Sequence, residues 1–276
     1  MYVFMISWNL GIHGFIYARI INEVINFSVY VAIYYKKSDE RVVGFEKPPM
    51  DIKVIGSYFL TCLKFAATNY AESIGFEVNT IYVSLLSNTK ALAAYVLWVN
   101  VVEIVFFMGT GLSNVVRTRI NTFFGMKRIS TARNFFWWFL RFNMGMGLIL
   151  GVCLTVFRYY VAHLYSDNEG ITTLLEKMLL IYGVICFLDF NIATIMTVYR
   201  SLGIVSYLIL VDITVYLPIV CIMSFVGLFV FKLNIWFLMV SFGTSQGLTI
   251  ALLVNNLRTA DWSRGTQKDE QARIQE

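Results

Sequence analysis

Seven stretches of this chain stay predominantly apolar for about twenty residues or more, the length that spans a bilayer's hydrocarbon core as a helix. They lie at roughly 14–35, 54–86, 91–113, 135–162, 172–197, 204–231 and 235–257. Inside hydrocarbon every backbone N–H and C=O must find its partner within the protein, so only helices and closed barrels can span it. A barrel would show strands of about ten residues with alternating polarity, and that alternation is absent. The fold class is therefore all-α: a polytopic transmembrane helix bundle of about seven spans.

Composition excludes the soluble alternatives. Of the 276 residues, 58% are hydrophobic and 14% charged, whereas a soluble domain carries about 25% charged residues. Neither disorder nor a coiled coil fits such a chain. Cys62, Cys153, Cys186 and Cys221 all fall in apolar stretches and read as small buried hydrophobes, with no disulfide and no metal site. His13 and His163 are far apart. No Ser-His-Asp order, phosphate loop or G-x-S-x-G elbow occurs, so the chain reads as a non-enzyme with no cofactor. The opening MYVFMISWNLGIHGF lacks the basic start and cleavage site of a signal peptide.

Basic residues give the orientation. One set of connections holds Lys36, Lys37, Arg41, Lys47 and Lys53, then Arg117, Arg119, Lys127, Arg128 and Arg133, then Arg200, and the tail adds Arg258, Arg264, Lys268 and Arg273. The opposite connections hold Lys90 and Lys232. The richer side is expected in the cytoplasm, with the C-terminus there. The net charge of +5 follows from this asymmetry and needs no nucleic-acid partner. Four regions result: 1–35, a first span; 36–53, a cytoplasmic linker with Pro48 and Pro49; 54–257, a six-helix membrane domain; and 258–276, a polar cytoplasmic tail, disordered or loosely helical from about Asp261.

Ionisable side chains at membrane depth cost roughly 2.5–3.5 kcal/mol each on insertion scales, so each needs a partner or a task. The second segment carries the richest set. On an ideal helix Asn69, Glu72, Phe76 and Asn79 share one face, and Ser73, Glu77, Thr80 and Ser84 another. A carboxyl in a partly wet, low-dielectric cavity can hold a proton and exchange it for a cation; alternatively Glu72 pairs with Lys64 or lies near a helix end. Asp189 is the next such acid, with Asn191 and Thr194 beside it able to bond across helices. Glu103 and Asp212 are single acids that read as structural pairs, and Arg19 and Glu23, four apart, satisfy each other. The aromatic residues read mostly as lipid-facing or interfacial, Phe135, Phe136, Trp137 and Trp138 among them.

Several stretches together resemble the C-terminal half of the multidrug and toxic compound extrusion (MATE) transporters. Ala71-Glu72-Ser73-Ile74-Gly75-Phe76-Glu77 is similar to the acidic E-x-x-x-[YF]-E stretch of that family's seventh helix. The run from Leu92 through Gly109, Gly111 and Arg119 to Gly125 resembles the eighth helix and the cytoplasmic loop after it. Thr131-Ala132-Arg133 resembles the start of the ninth. Leu188-Asp189-Phe190, followed by Tyr199-Arg200-Ser201-Leu202-Gly203, resembles the tenth helix and its R-G-x-G exit, with Asp189 at the position of a family glutamate. The segment from Gly11 to Arg19 resembles the start of the sixth. Two loop glycines expected from the family are Asn121 and Lys127 here.

The resemblance implies one six-helix MATE-like lobe plus a preceding helix. It implies secondary antiport of organic cations or other toxic compounds against H⁺, or Na⁺, with Glu72, Glu77 and Asp189 as coupling acids. Asn69, Tyr70, Phe76, Asn79 and Tyr82 become cavity candidates, the aromatic ones as cation–π surfaces. Arg119, Gly125, Arg200 and Gly203 carry the loop motifs. The expected surroundings are the lipid bilayer of a plasma or vacuolar-type membrane, a small organic substrate expected to be cationic, and an N-terminal lobe or second chain to complete the cavity. A seven-helix receptor and a non-transporting subunit or half-transporter are the alternatives.

Overall fold

A computed structural model describes residues 11–37, 52–86 and 88–263; some side chains in its first two helices, including those of Asn69 and Glu72, lie outside the description, as does most of the 36–53 linker. The described residues hold no strand. Their helices are α1 (Gly11–Lys37), α2 (Ile52–Leu85), α3 (Thr89–Gly125), α4 (Ile129–Tyr165), α5 (Glu169–Leu202), α6 (Val205–Val211), α7 (Leu217–Phe225) and α8 (Phe237–Thr259). A π-helical turn, Asp212–Tyr216, joins α6 to α7, and a second, Val226–Val230, follows α7. Pro218 sits in the first turn of α7. Its missing N–H cannot close the preceding α-helical ring, a recognised cause of such local widening.

The chain divides into two units, Met1–Ser57 and Tyr58–Glu276. In the first, α1 is apolar and exposed along its span from Ile16 to Ile33. Arg19 Nε lies 3.4 Å from Glu23 Oε1, as the i, i+4 spacing predicts.

Six helical spans among the described residues are long and apolar enough to cross a membrane: α1, α3, α4, α5, the α6–α7 run and α8. The seventh expected span, α2, is a continuous helix of 34 residues, and many of its side chains before Ser73 lie outside the described residues.

Helix ends correct several boundaries. The expected span 91–113 is part of α3, which runs to Gly125, and α4 begins at Ile129. Arg117, Arg119 and Arg133 are therefore helical, and the connection shrinks to residues 126–128. Hydropathy marks where hydrocarbon ends, whereas caps and glycines mark where a helix ends. Asn88 caps α3 by accepting from the N–H groups of Lys90 and Ala91, both at 3.2 Å. Asn168 caps α5 through Gly170 N at 3.1 Å. Gly203, at φ 74°, terminates α5, and Ile204 N donates back to Tyr199 O at 3.0 Å.

Helix α5 is the centre of the second unit and packs against α3, α4 and α8. It runs parallel to α3, where Trp98 meets Tyr182 edge-on at 5.7 Å, and antiparallel to α4. Tyr95, Trp98, Tyr182 and Tyr199 are fully buried, as is Phe136, so these aromatic rings build the core instead of an outer belt. Trp138 does face outward. Of the cysteines, Cys186 alone is buried, while Cys62 and Cys153 are exposed. The outer surface of α4 is apolar (Val152, Val156, Phe157, Tyr160), as a lipid-facing helix requires.

The tail expectation also needs correcting at its start. Trp262 is buried against Phe136 at 5.7 Å, and its Nε1 donates to Leu257 O at 3.2 Å. Nearby, Arg133 Nη2 donates to Arg258 O at 2.9 Å. One aromatic side chain offers enough apolar area to hold the first polar residues of the tail against the bundle.

Candidate functional site: an acidic cavity beside α5

A cavity of about 300 Å³ opens between α2, α3, α5, α8 and the first π-helical turn. Glu77 from α2, Glu103 from α3 and Asp189 from α5 line it, and among the described residues no lysine or arginine does. Its apolar wall is largely aromatic, with Phe76, Phe106, Phe107, Tyr216 and Phe242. Phe76 packs on Phe242 at 4.9 Å and on Trp98 at 6.1 Å. An acidic lining with aromatic faces attracts cations twice over, by charge and by ring quadrupole.

The acids differ in setting. Asp189 is buried, and both its oxygens accept hydrogen bonds: Oδ2 from the Tyr182 hydroxyl at 2.5 Å, and Oδ1 from Gln246 Nε2 of α8. Both donors are neutral, so the carboxylate is held in place with its charge uncancelled. Glu77 and Glu103 are exposed on the lobe. Among the described residues none of the three forms an ion pair with lysine or arginine.

The other candidates separate. On α2 the cavity takes Ser73, Glu77 and Thr80, one of the two faces read from the helix period, together with Phe76. Asn79 is buried away from it. Tyr70 points outward, 67% exposed. Tyr82 packs between Phe225 and Phe229, at 5.9 Å from each. Tyr70, Asn79 and Tyr82 therefore do not line this cavity. The side chains of Asn69 and Glu72 lie outside the described residues.

Asn191 donates to Phe187 O at 2.7 Å within its own helix, and Thr194 accepts from Asn143 Nδ2 of α4 at 2.6 Å. The cross-helix bond expected near Asp189 thus forms at Thr194, while Asp189 itself stays with the cavity. Arg119 is exposed on α3, and Gly125 is that helix's last residue. Arg200, in the last turn of α5, is a charged neighbour of Asp212, which is buried in the π-helical turn.

Sequence reasoning missed Tyr182 and Gln246 and took Glu103 for a structural acid. Tyr182 stands seven residues before Asp189, two turns away on the same helical face. Gln246 is the chain's one glutamine ahead of the polar tail, and a lone amide at membrane depth is a signal of the same kind as a lone acid.

A family model described as MatE matches residues 65–226, more than half of the chain. This chain belongs to the MatE family. The matched stretch of this MatE chain covers α3 to α7 and most of α2, and so carries every acid of the cavity. No curated protein matches the sequence.

Solved structures share the fold. The Vibrio cholerae MATE transporter VcmN in its bent form superposes with a TM-score of 0.71 at 18% identity, covering 94% of this chain and 59% of that one. A MATE protein in complex with MaD3S gives 0.67 at 12% identity, covering 72% of this chain and 45% of that one. A MOP superfamily transporter from Pyrococcus furiosus Vc1 (DSM3638), described as having a binding pocket of reversed polarity that suggests a different function, gives 0.63 at 13% identity, covering 71% of this chain and 43% of that one. This MatE chain therefore spans about half the length of the structures it resembles. It is an integral, multi-pass membrane protein of all-α fold.

Proposed function

We propose that this chain is one lobe of a secondary transporter that exchanges an organic cation for H⁺, or Na⁺, across the membrane. The observation that carries the reading is the cavity lined by Glu77, Glu103 and Asp189, with aromatic walls and no basic side chain among the described residues. In water such carboxylates are solvated singly; lining one cavity that also holds the buried Asp189, they compete for protons and cations alike. A proton arriving at the set lowers its negative charge and favours release of a bound cation, and loss of that proton favours capture.

Asp189 is the central coupling acid in this reading, with Glu77 and Glu103 at its side and Glu72 a further candidate on α2. Phe76, Tyr216 and Phe242 face the organic part of the substrate. A single lobe lines one side of such a cavity, so alternating access would come from its rocking against an N-terminal lobe or a second chain. The basic helix ends, with Lys127, Arg128, Arg133, Arg200 and Arg258, would face the cytoplasm of a plasma or vacuolar-type membrane.

The test is flux of tetraethylammonium into proteoliposomes holding the intact protein under an imposed pH gradient. Asp189→Asn is expected to reduce gradient-driven uptake by about tenfold or more, equivalent to about 1.4 kcal/mol. Glu77→Gln and Glu72→Gln are measured beside it. Unchanged flux in all three variants would overturn the reading.

A further inference from the structure

Gln246 is buried, lines the cavity, and commits only one end of its amide. Nε2 donates to Asp189 Oδ1, while Oε1 has no hydrogen-bond partner among the described residues. A buried carbonyl oxygen left unpaired is costly unless something else donates to it. The orientation is dictated by Asp189: a carboxylate can only accept, so it must meet the amide's donor end.

Protonation inverts that requirement. A carboxylic acid carries an O–H that needs an acceptor. Tyr182, on the other oxygen, already spends its hydroxyl hydrogen as a donor at 2.5 Å. Across α8, the amide oxygen of Gln246 is one rotation of χ3 away, and terminal amide torsions are soft and roughly two-fold. After that rotation Oε1 faces Asp189, and the NH₂ group takes its former place.

We propose that Gln246 relays the protonation state of Asp189 to the cavity by reversing its side-chain amide. With Asp189 ionised, the uncommitted end is an oxygen enclosed in the cavity wall, and its dipole adds to the pull on a cation. With Asp189 protonated, the uncommitted end is an NH₂ group and opposes one. Proton binding then does more than remove a charge from the cavity, because it replaces an acceptor by a donor in the wall. No bond other than the Asp189 O–H forms or breaks. Gln246 is a positioning residue in this scheme, and the scheme rests on the cavity being a cation site.

The groups around Asp189 allow the exchange to be assigned. Tyr182 of α5 and Gln246 of α8 bond to it and Cys186 lies beside it, while Glu77 of α2, Glu103 of α3 and Tyr216 of the π-helical turn line the same cavity. Helix α4 meets α5 through glycines and the Asn143–Thr194 bond, and no lysine or arginine is ion-paired with Asp189 among the described residues.

The experiment is difference infrared spectroscopy of the intact protein with ¹³C in the glutamine side-chain carbonyl, moved between alkaline and acidic buffer. Tetraethylammonium binding is measured on the same samples, since a permanent cation leaves only the protein to titrate. The expected result is an amide carbonyl band that shifts with pH and is absent in Gln246→Met. The shift is locked in Asp189→Asn, whose amide mimics the protonated acid. The alkaline-to-acid ratio of tetraethylammonium affinity is expected to fall about threefold in Gln246→Met, the size of one net hydrogen bond. The wild-type spectrum needs no variant to fold. A static glutamine band with cation binding still dependent on pH would overturn the relay and leave the cation site standing. Absence of tetraethylammonium binding to the wild type at either pH would overturn both.

Discussion

A Cβ placed on Gly151 would fall well under 3.0 Å from the carbonyl oxygen of Gly183, so α4 and α5 touch through their backbones at this crossing. One placed on Gly183 would collide with Thr155 Oγ1 and would meet Gly151 O at 2.8 Å. A Cβ on Gly147, one turn earlier on α4, would stand 2.7 Å from Phe187 Cα. Gly147 and Gly151 have the small-x-x-x-small spacing through which membrane helices approach closely, where packing replaces the hydrophobic effect as the driving force. Because α5 carries Asp189, this crossing also holds the cavity wall in place.

Gly151→Ala and Gly183→Ala are each expected to destabilise the protein by about 1–3 kcal/mol, the usual range for overpacking, since a backbone carbonyl cannot swing aside like a side chain. A methyl group added at Gly111 or Gly145 would meet nothing within 4 Å, and Gly→Ala at either is expected to be neutral or slightly stabilising. Thermal unfolding midpoints in detergent compare the four variants. Equal midpoints for all four would refute the close crossing.

Left-handed backbone gives a second pair of expectations with opposite signs. Lys127 has φ 56°, and Gly203 has φ 74°. An L side chain in this region costs roughly 1–2 kcal/mol. Lys127→Gly is therefore expected to raise stability by up to about 1 kcal/mol, and Gly203→Ala to lower it by about the same. The midpoints of unfolding should move apart; a drop for Lys127→Gly would mean that its side chain contributes more than the backbone strain.

Lys127 also shows how far the sequence could be read. The MATE resemblance expects a glycine there, and the backbone takes the conformation a glycine favours even though the residue is lysine. The apolar spans were legible because hydrocarbon selects on composition alone. Their ends were not, since Asn88 and the N–H groups of Met126, Lys127 and Arg128 act through hydrogen bonds outside the apolar run. Asp189 was legible as an acid in an apolar stretch. The pairing of Gln246 with it was not, because the two meet only through the parallel register of α5 and α8. Phe136 and Trp138, two residues apart, went to the core and to the outer surface respectively. Only packing distinguishes them, since both are aromatic and both suit a membrane interface.

Asn143 and Thr194 supply a buried polar link between α4 and α5, 2.6 Å long. Cross-helix hydrogen bonds in membranes contribute about 0.6 kcal/mol on average and up to about 1.7 kcal/mol. A double-mutant cycle with Asn143→Ala and Thr194→Val is expected to return a coupling in that range. The bond is short and fully enclosed, which favours the upper half. A coupling indistinguishable from zero would mean that each side chain finds another partner when the bond is lost.

Trp262 offers the last test, at the far end of the bundle from α3's first turn. It is 3% exposed, packs on Phe136 at 5.7 Å, and donates to Leu257 O at 3.2 Å. Arg133 closes the same corner by donating to Arg258 O at 2.9 Å, satisfying a carbonyl at the end of α8. Trp262→Ala removes a large buried side chain and is expected to cost about 3 kcal/mol or more. Trp262→Phe keeps most of the ring area and loses the indole hydrogen bond, so its expected cost is about 1 kcal/mol. Proteolysis distinguishes local from global effects. If Trp262 anchors only the tail, Trp262→Ala will speed cleavage after Arg258 and leave the unfolding midpoint unchanged. If it is part of the core, as its packing on Phe136 indicates, the midpoint will fall as well.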